Sequence, residues 1–189
     1  MCGIVGYTGV KDASPILIDG LKRREYRGYD SAGIAVEEAG GLQVVRRRGR
    51  VEALEHTVSH FDLKGTCGIG HTRWATHGRP SEANAHPHVS CDGHIAIVHN
   101  GIIENFADLR DHLENEGHSF ASNTDTETVV HLIEDCYEGD LLDAVREATT
   151  QIVGSYGLAV VDDREPGVIV ATRKDSPLIV GVAEDGCYL

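Results

Sequence analysis

Segments with strand character crowd the two ends of this chain, and helical segments fill its middle. This distribution limits the fold more than any other feature, because it excludes a strictly alternating βαβ chain. Short apolar runs at 2–8, 33–38, 42–48, 66–74 and 94–101 read as strands, and so do 156–163, 167–173 and 178–183. Residues 13–26, 51–60, 105–116, 125–138 and 140–151 read as helices; the first carries Ile16, Leu17, Leu21 and Tyr26 near helical spacing. Gly40-Gly41 marks a hairpin, 27–31 a turn and 75–93 an irregular stretch. The final Cys187-Tyr188-Leu189 has strand character and no capping or tail signal, so the chain reads as cut from something longer. With no repeat or linker, the expectation is one α+β domain over 1–189, with stacked sheets and helices outside.

Charge narrows the possible partners. Thirty Asp and Glu against seventeen Lys and Arg leave a net −13, which argues against nucleic acid or an anionic membrane, since phosphate binding needs a basic surface. No apolar run reaches the ~18 residues of a bilayer span, and the start lacks a secretory signal. Many carboxylates with few lysines suit a protein kept soluble in high salt, where repulsion is screened. Arg46-Arg47-Arg48-Gly49-Arg50 reads as a solvated strand edge, with phosphate binding as the alternative. Five cysteines without CxxC spacing indicate neither a disulfide framework nor a zinc ribbon, and point to a reducing cytoplasm. Cys67, Cys91, Cys136 and Cys187 read as small buried hydrophobes or bystanders.

Cys2 differs by its position. A thiol attacks only as thiolate and needs a nearby base, its ordinary pKa being about 8.5. If Met1 is removed, Cys2 carries that base itself, a free α-amine with a pKa of about 7.7–8. One residue then combines attack and proton transfer. The alternative is that Cys2 merely opens a buried strand.

Three further segments hold groups suited to binding. Arg73 and Trp74 stand where a strand runs into a loop; a guanidinium there suits a carboxylate, and an indole can wall a pocket, while the bland reading is a surface Arg beside a packed Trp. His99-Asn100-Gly101 ends an apolar strand, where the Asn amide and the next backbone N–H can form an oxyanion hole, or simply a turn. Thr124 and Glu127 have capping-box spacing, and Asp125 between them can also meet an ammonium. Six histidines (His71, His77, His86, His88, His94 and His99) fall in one third of the chain beside Cys91, but without paired ligand spacing; they read as scattered strand and loop residues rather than a metal site.

Taken together, CGIVGY at 2–7, EYRGYDSAGIAV at 25–36, GHTRWATHG at 70–78, NAHPH at 84–88, VHNGIIEN at 98–105 and TDTE at 124–127 resemble the glutaminase domain of the glucosamine-6-phosphate synthases. The CGI start is shared with other class II glutamine amidotransferases, so the EYRGYDSAG and HTRWATHG strings carry the finer likeness. The resemblance covers the whole chain. It implies an N-terminal-nucleophile (Ntn) hydrolase fold, a four-layer αββα sandwich of two antiparallel sheets flanked by helices. It implies L-glutamine as amide donor, Cys2 as nucleophile and Asn100 with Gly101 as oxyanion hole. Arg73 is then the group for the α-carboxylate and Asp125 for the α-ammonium, with Trp74, Thr76 and His77 in a loop over the substrate. Arg27 is expected near the nucleophile without a firm role. No metal or cofactor is implied. The family continues into a C-terminal sugar isomerase domain of the same polypeptide, absent from this sequence, and the full-length enzymes are expected to be homodimers.

Overall fold

A computed structural model describes residues 2–25, 30–74 and 79–189. Tyr26, most of the turn read at 27–31 and the opening of the stretch at 75–93 lie outside the described residues. The strands are β1 (Gly3–Gly9), β2 (Ser31–Glu38), β3 (Gly41–Arg48), β4 (Cys67–Arg73), β5 (His88–Val89), β6 (Ile95–Ile103), β7 (Gly154–Asp162), β8 (Val170–Lys174), β9 (Gly181–Ala183) and β10 (Gly186–Tyr188). The helices are α1 (Ala13–Arg24), α2 (Val51–Val58), α3 (Phe106–Glu116), α4 (Asp125–Asp135) and α5 (Leu141–Gln151).

The strands form two sheets. One has the order β3-β2-β4-β1-β10-β9, the other β5-β6-β7-β8, and neighbours pair antiparallel in both. Successive side chains on a strand face opposite ways, so each buried strand serves two cores. On β6, Ile95 and Ile97 face a cluster built with Leu113, Val129, Ile133 and Val145 of α3, α4 and α5, while Ala96 and Val98 face the other sheet. On β2, Ile34 and Val36 pack with Leu17, Leu21 and Leu54 of α1 and α2, and Ala35 faces inward. Ile4, Cys67, Ile69, Ala159 and Val161 complete the layer between the sheets. The result is helix, sheet, sheet, helix, as expected.

Helix α1 lies close on its sheet. A Cβ at Gly20 would sit 2.8 Å from Val5 Cγ1, and one at Gly70 would sit 3.2 Å from Leu21 Cδ1. Among the described residues, no helix is long and apolar enough to cross a membrane.

The structure departs from the sequence reading in four places. A two-residue strand, β5, stands inside the stretch read as irregular, because His88 and Val89 pair with Ile97 and Ala96. The segment read as a strand over 178–183 yields only β9, since Pro177 and its neighbours form part of a cleft wall instead. Arg46, Arg47 and Arg48 do lie on an edge strand, but Arg46 is turned inward enough for burial to lower its pKa. Of the four cysteines read as buried or incidental, only Cys67 is buried; there burial and neighbouring Glu37 push its thiol far up, and it is inert.

Candidate active site

The two-residue strand period carries the inter-sheet layer outward into a set of polar groups. Cys2 precedes Ile4 by two residues, His71 and Arg73 follow Ile69 on β4, and Asn100 follows Val98 on β6. Each therefore shares the inward face of its strand. Where the apolar layer ends, they border a cleft of ≈ 730 Å³. Ile4 lies opposite His71, which fixes the register of the two strands at the cleft.

Cys2 sits against the Trp74 backbone. The Trp74 N–H donates to Sγ at 3.1 Å, and Sγ lies 3.5 Å from the Trp74 carbonyl oxygen. Burial pushes the Cys2 thiol up; the Trp74 N–H and nearby Arg73 pull it partly back. The Trp74 indole is 54% exposed, so Trp74 forms the rim rather than a packed wall.

Arg73 is 4% exposed, which removes the surface-Arg reading. Its Nη1 lies 3.6 Å from Asp30 Oδ1, and the Asp30 N–H donates to the Arg73 carbonyl at 2.7 Å. Arg73 thus stands as a buried cation on the border of the cleft.

Asn100 is oriented from behind. Its Oδ1 lies 2.9 Å from His71 Nε2, and burial holds the His71 pKa down at about 3, so the ring is neutral and Nε2–H donates. That commits the Asn100 oxygen and leaves its NH2 as the free end of the amide. Gly101 has φ +141°, and a Cβ there would sit 2.0 Å from the Ser155 carbonyl oxygen, so only glycine fits.

Asp125 opens α4, is 4% exposed and borders the same cleft. Its Oδ2 accepts the Ile103 N–H at 3.0 Å, which ties the helix start to the end of β6. Thr124 caps α4 by accepting the Glu127 N–H. The reciprocal half of the capping box is displaced, because Glu127 accepts from the Ala121 and Ser122 N–H groups at 2.7 Å while the Thr124 N–H goes to Ser122 Oγ.

The histidines correct the expectation of scatter. His71 stacks on His86 at 4.3 Å, and His86 meets His88 edge-on at 4.9 Å. The His99 N–H donates to His86 Nδ1 at 3.3 Å; His88 reaches Thr124 Oγ1 and His99 reaches Thr126 Oγ1, each at 2.9 Å. Four of the six thus form one buried wall joining β4, β6 and the start of α4. Strand facing brings them together, which spacing along the chain does not reveal. His94 stands apart, 2.7 Å from Asp163, and Cys91 touches none of the four.

Thr76, His77 and Arg27 lie outside the described residues. Sequence reasoning missed Arg24 and the segment 176–179, which also line the cleft. Neither has a motif; only the return of β8 past β7 places 176–179 there.

Residues 71–188 match the pattern of the glutamine amidotransferase domain. The chain belongs to the glutamine amidotransferase domain family. This amidotransferase domain is 53% identical over 189 residues to the glutamine–fructose-6-phosphate aminotransferase [isomerizing] of Clostridium acetobutylicum, covering 100% of the chain and 31% of that relative. It is 54% identical over 190 residues to the enzyme of the same name from Thermus thermophilus, again covering 100% and 31%. The chain therefore spans about a third of the length of the curated relatives it matches. Among solved structures, a glutamine phosphoribosylpyrophosphate amidotransferase from B. subtilis superposes with a TM-score of 0.85 at 25% identity, over 100% of this chain and 41% of that one. A glutamine aminotransferase class-II domain protein from Silicibacter pomeroyi shares the fold at a TM-score of 0.64 and 15% identity, over 100% and 87%.

Proposed function

We propose that this domain hydrolyses L-glutamine to glutamate and ammonia through Cys2 after removal of Met1. The observation that carries the reading is the convergence of Cys2, Arg73, Asn100, Gly101 and Asp125 on one cleft. Arg73 pairs with the glutamine α-carboxylate and Asp125 with its α-ammonium, and between them they fix the carboxamide. Thr76 and His77 join Trp74 in the loop over the substrate, as the resemblance implies.

The Cys2 thiol gives its proton to the Cys2 α-amine, directly or through water. The sulfur attacks the carboxamide carbon, and the oxyanion takes hydrogen bonds from the Asn100 NH2 and the Gly101 N–H; one such donor contributes ~2.7–4 kcal/mol. The ammonium proton passes to the departing nitrogen, and ammonia leaves a γ-glutamyl thioester. Water attacks the thioester, releases glutamate and restores the thiol. Burial raises the thiol pKa, and the adjoining amine gives its proton an acceptor within the same residue.

In a full-length protein like the two relatives, the ammonia passes to a C-terminal sugar isomerase domain of the same polypeptide. There it converts fructose 6-phosphate to glucosamine 6-phosphate, in a cytoplasmic homodimer. The test of the glutaminase step is covalent labelling with an electrophilic glutamine analogue, read by intact mass. A single adduct on Cys2 of a chain lacking Met1 is expected. Fully active protein that keeps Met1 would sink the proposal, because its nitrogen is then a non-basic amide.

A further inference from the structure

On the helical side of the four-stranded sheet, four side chains from three segments meet. Cys91 comes from the turn between β5 and β6, His118 from the segment after α3, and His131 and Glu134 from one face of α4. Cys91 Sγ lies 3.6 Å from His118 Nδ1 and 3.5 Å from His131 Nδ1. Glu134 Oε2 lies 3.3 Å from His118 Nδ1 and 3.2 Å from His131 Nδ1. None of these residues is among those that line the cleft.

Each of the four atoms has two others of the cluster within 3.6 Å. Each Nδ1 faces both the sulfur and the carboxylate oxygen, yet an imidazole nitrogen has either one proton or one lone pair. Cys91 Sγ also lies 3.8 Å from the Ser119 carbonyl oxygen and accepts the Ser119 N–H at 3.4 Å. The spacings fit four atoms around a common centre. With metal–sulfur bonds of about 2.3 Å and metal–nitrogen or metal–oxygen bonds of about 2.0–2.1 Å, tetrahedral angles put S···N pairs about 3.6 Å and N···O pairs about 3.3 Å apart.

The surroundings support the same reading. The second ring nitrogen of each histidine faces a carboxylate: His118 Nε2 lies 3.8 Å from Asp135 Oδ1, and His131 Nε2 lies 3.8 Å from Glu127 Oε1. At 3.8 Å these carboxylates are near neighbours rather than hydrogen-bond partners, and His131 Nε2 is buried without one. Glu134 also accepts the Cys91 and Asp92 N–H groups at 2.9 Å each, so the turn carrying the thiol is already fastened to α4. The Phe120 ring packs edge-on against His131 at 4.7 Å and shields one side.

We propose that Cys91, His118, His131 and Glu134 form a structural zinc site, independent of the glutaminase cleft. One thiolate, two imidazoles and one carboxylate in a tetrahedron select Zn²⁺ over hard cations and over metals that prefer planar geometry. Four protein ligands close the coordination sphere, so the ion holds structure and does not activate water. It clamps the β5–β6 turn and the segment after α3 onto α4, the helix whose first residue is Asp125. Binding releases the Cys91 thiol proton to solvent.

The test is metal titration of the purified, chelator-treated protein. One equivalent of Zn²⁺ is expected to bind and to raise the thermal midpoint. Co²⁺ in its place is expected to give a thiolate-to-cobalt charge-transfer band in the near ultraviolet. Cys91→Ser abolishes that band, His118→Ala abolishes the Zn²⁺-dependent rise, and Cys2→Ala keeps both. Cys91 is exposed, so its replacement leaves the fold intact. Absence of any Zn²⁺-dependent rise in the wild-type protein, or a cobalt spectrum unchanged by Cys91→Ser, overturns the proposal.

Discussion

In the proposed reaction, the work of the cleft divides between residues for the developing charge and residues for the ends of the substrate. Asn100 belongs to the first kind. Asn100→Ala is expected to lower kcat by about 10²–10³ with little change in KM, because the lost hydrogen bond strengthens only as the oxyanion forms. Arg73 belongs to the second kind, and Arg73→Ala is expected chiefly to raise KM in steady-state glutaminase assays. Asp125 can be examined without mutation. Glutamate keeps both α-groups, whereas glutaramate lacks the ammonium; competition assays should find glutamate the far better inhibitor. Equal inhibition by the two would remove Asp125 from its role. These residues differ in how far the sequence reveals them. Cys2 and the Asn100-Gly101 pair become legible through the family segments, because alone they also read as a strand start and a turn. Arg73 and Asp125 are legible only as candidates, because a buried guanidinium and an exposed one look alike in a sequence.

At the scale of elements, α1 and the histidine wall carry the clearest consequences. Gly20 lets α1 approach β1, and a Cβ there already collides with Val5. Gly20→Val is therefore expected to destabilise the fold by about 1–3 kcal/mol, measured by urea denaturation. The wall bears on pH. Burial lowers the pKa of His71 to about 3, and that of His86 well below its usual value, so both are neutral in the folded protein. A histidine with a depressed folded pKa contributes full stability above its unfolded value of about 6.5, and loses about 1.4 kcal/mol per pH unit below it. The urea midpoint should fall between pH 7 and pH 5, and His86→Asn should flatten that fall; a midpoint constant over this range would contradict neutral burial. Most helices and strands were legible from periodicity, since each buries one apolar face. The short strand β5 was not, because two residues carry no period and only pairing with β6 defines them.

For the whole molecule, the −13 charge is the controlling quantity. Its ion pairs are mostly at the surface, such as Lys22 with Glu55 and Arg23 with Asp19, and they offset little of the mutual repulsion. Unfolding midpoints are expected to rise as potassium chloride is taken from millimolar to molar concentration, and a flat response would refute the high-salt reading. What the sequence determined by itself was local: strand ends against helical middle, a thiol one residue from the chain start, and the segments that mark the family. Those features follow from side-chain chemistry and spacing along a single stretch of chain. The tertiary structure alone decided which histidines meet each other, which meet Cys91, and that 176–179 lines the same cleft as Cys2. Such meetings depend on the stacking of two sheets and the docking of α4, which bring together groups tens of residues apart with no shared period.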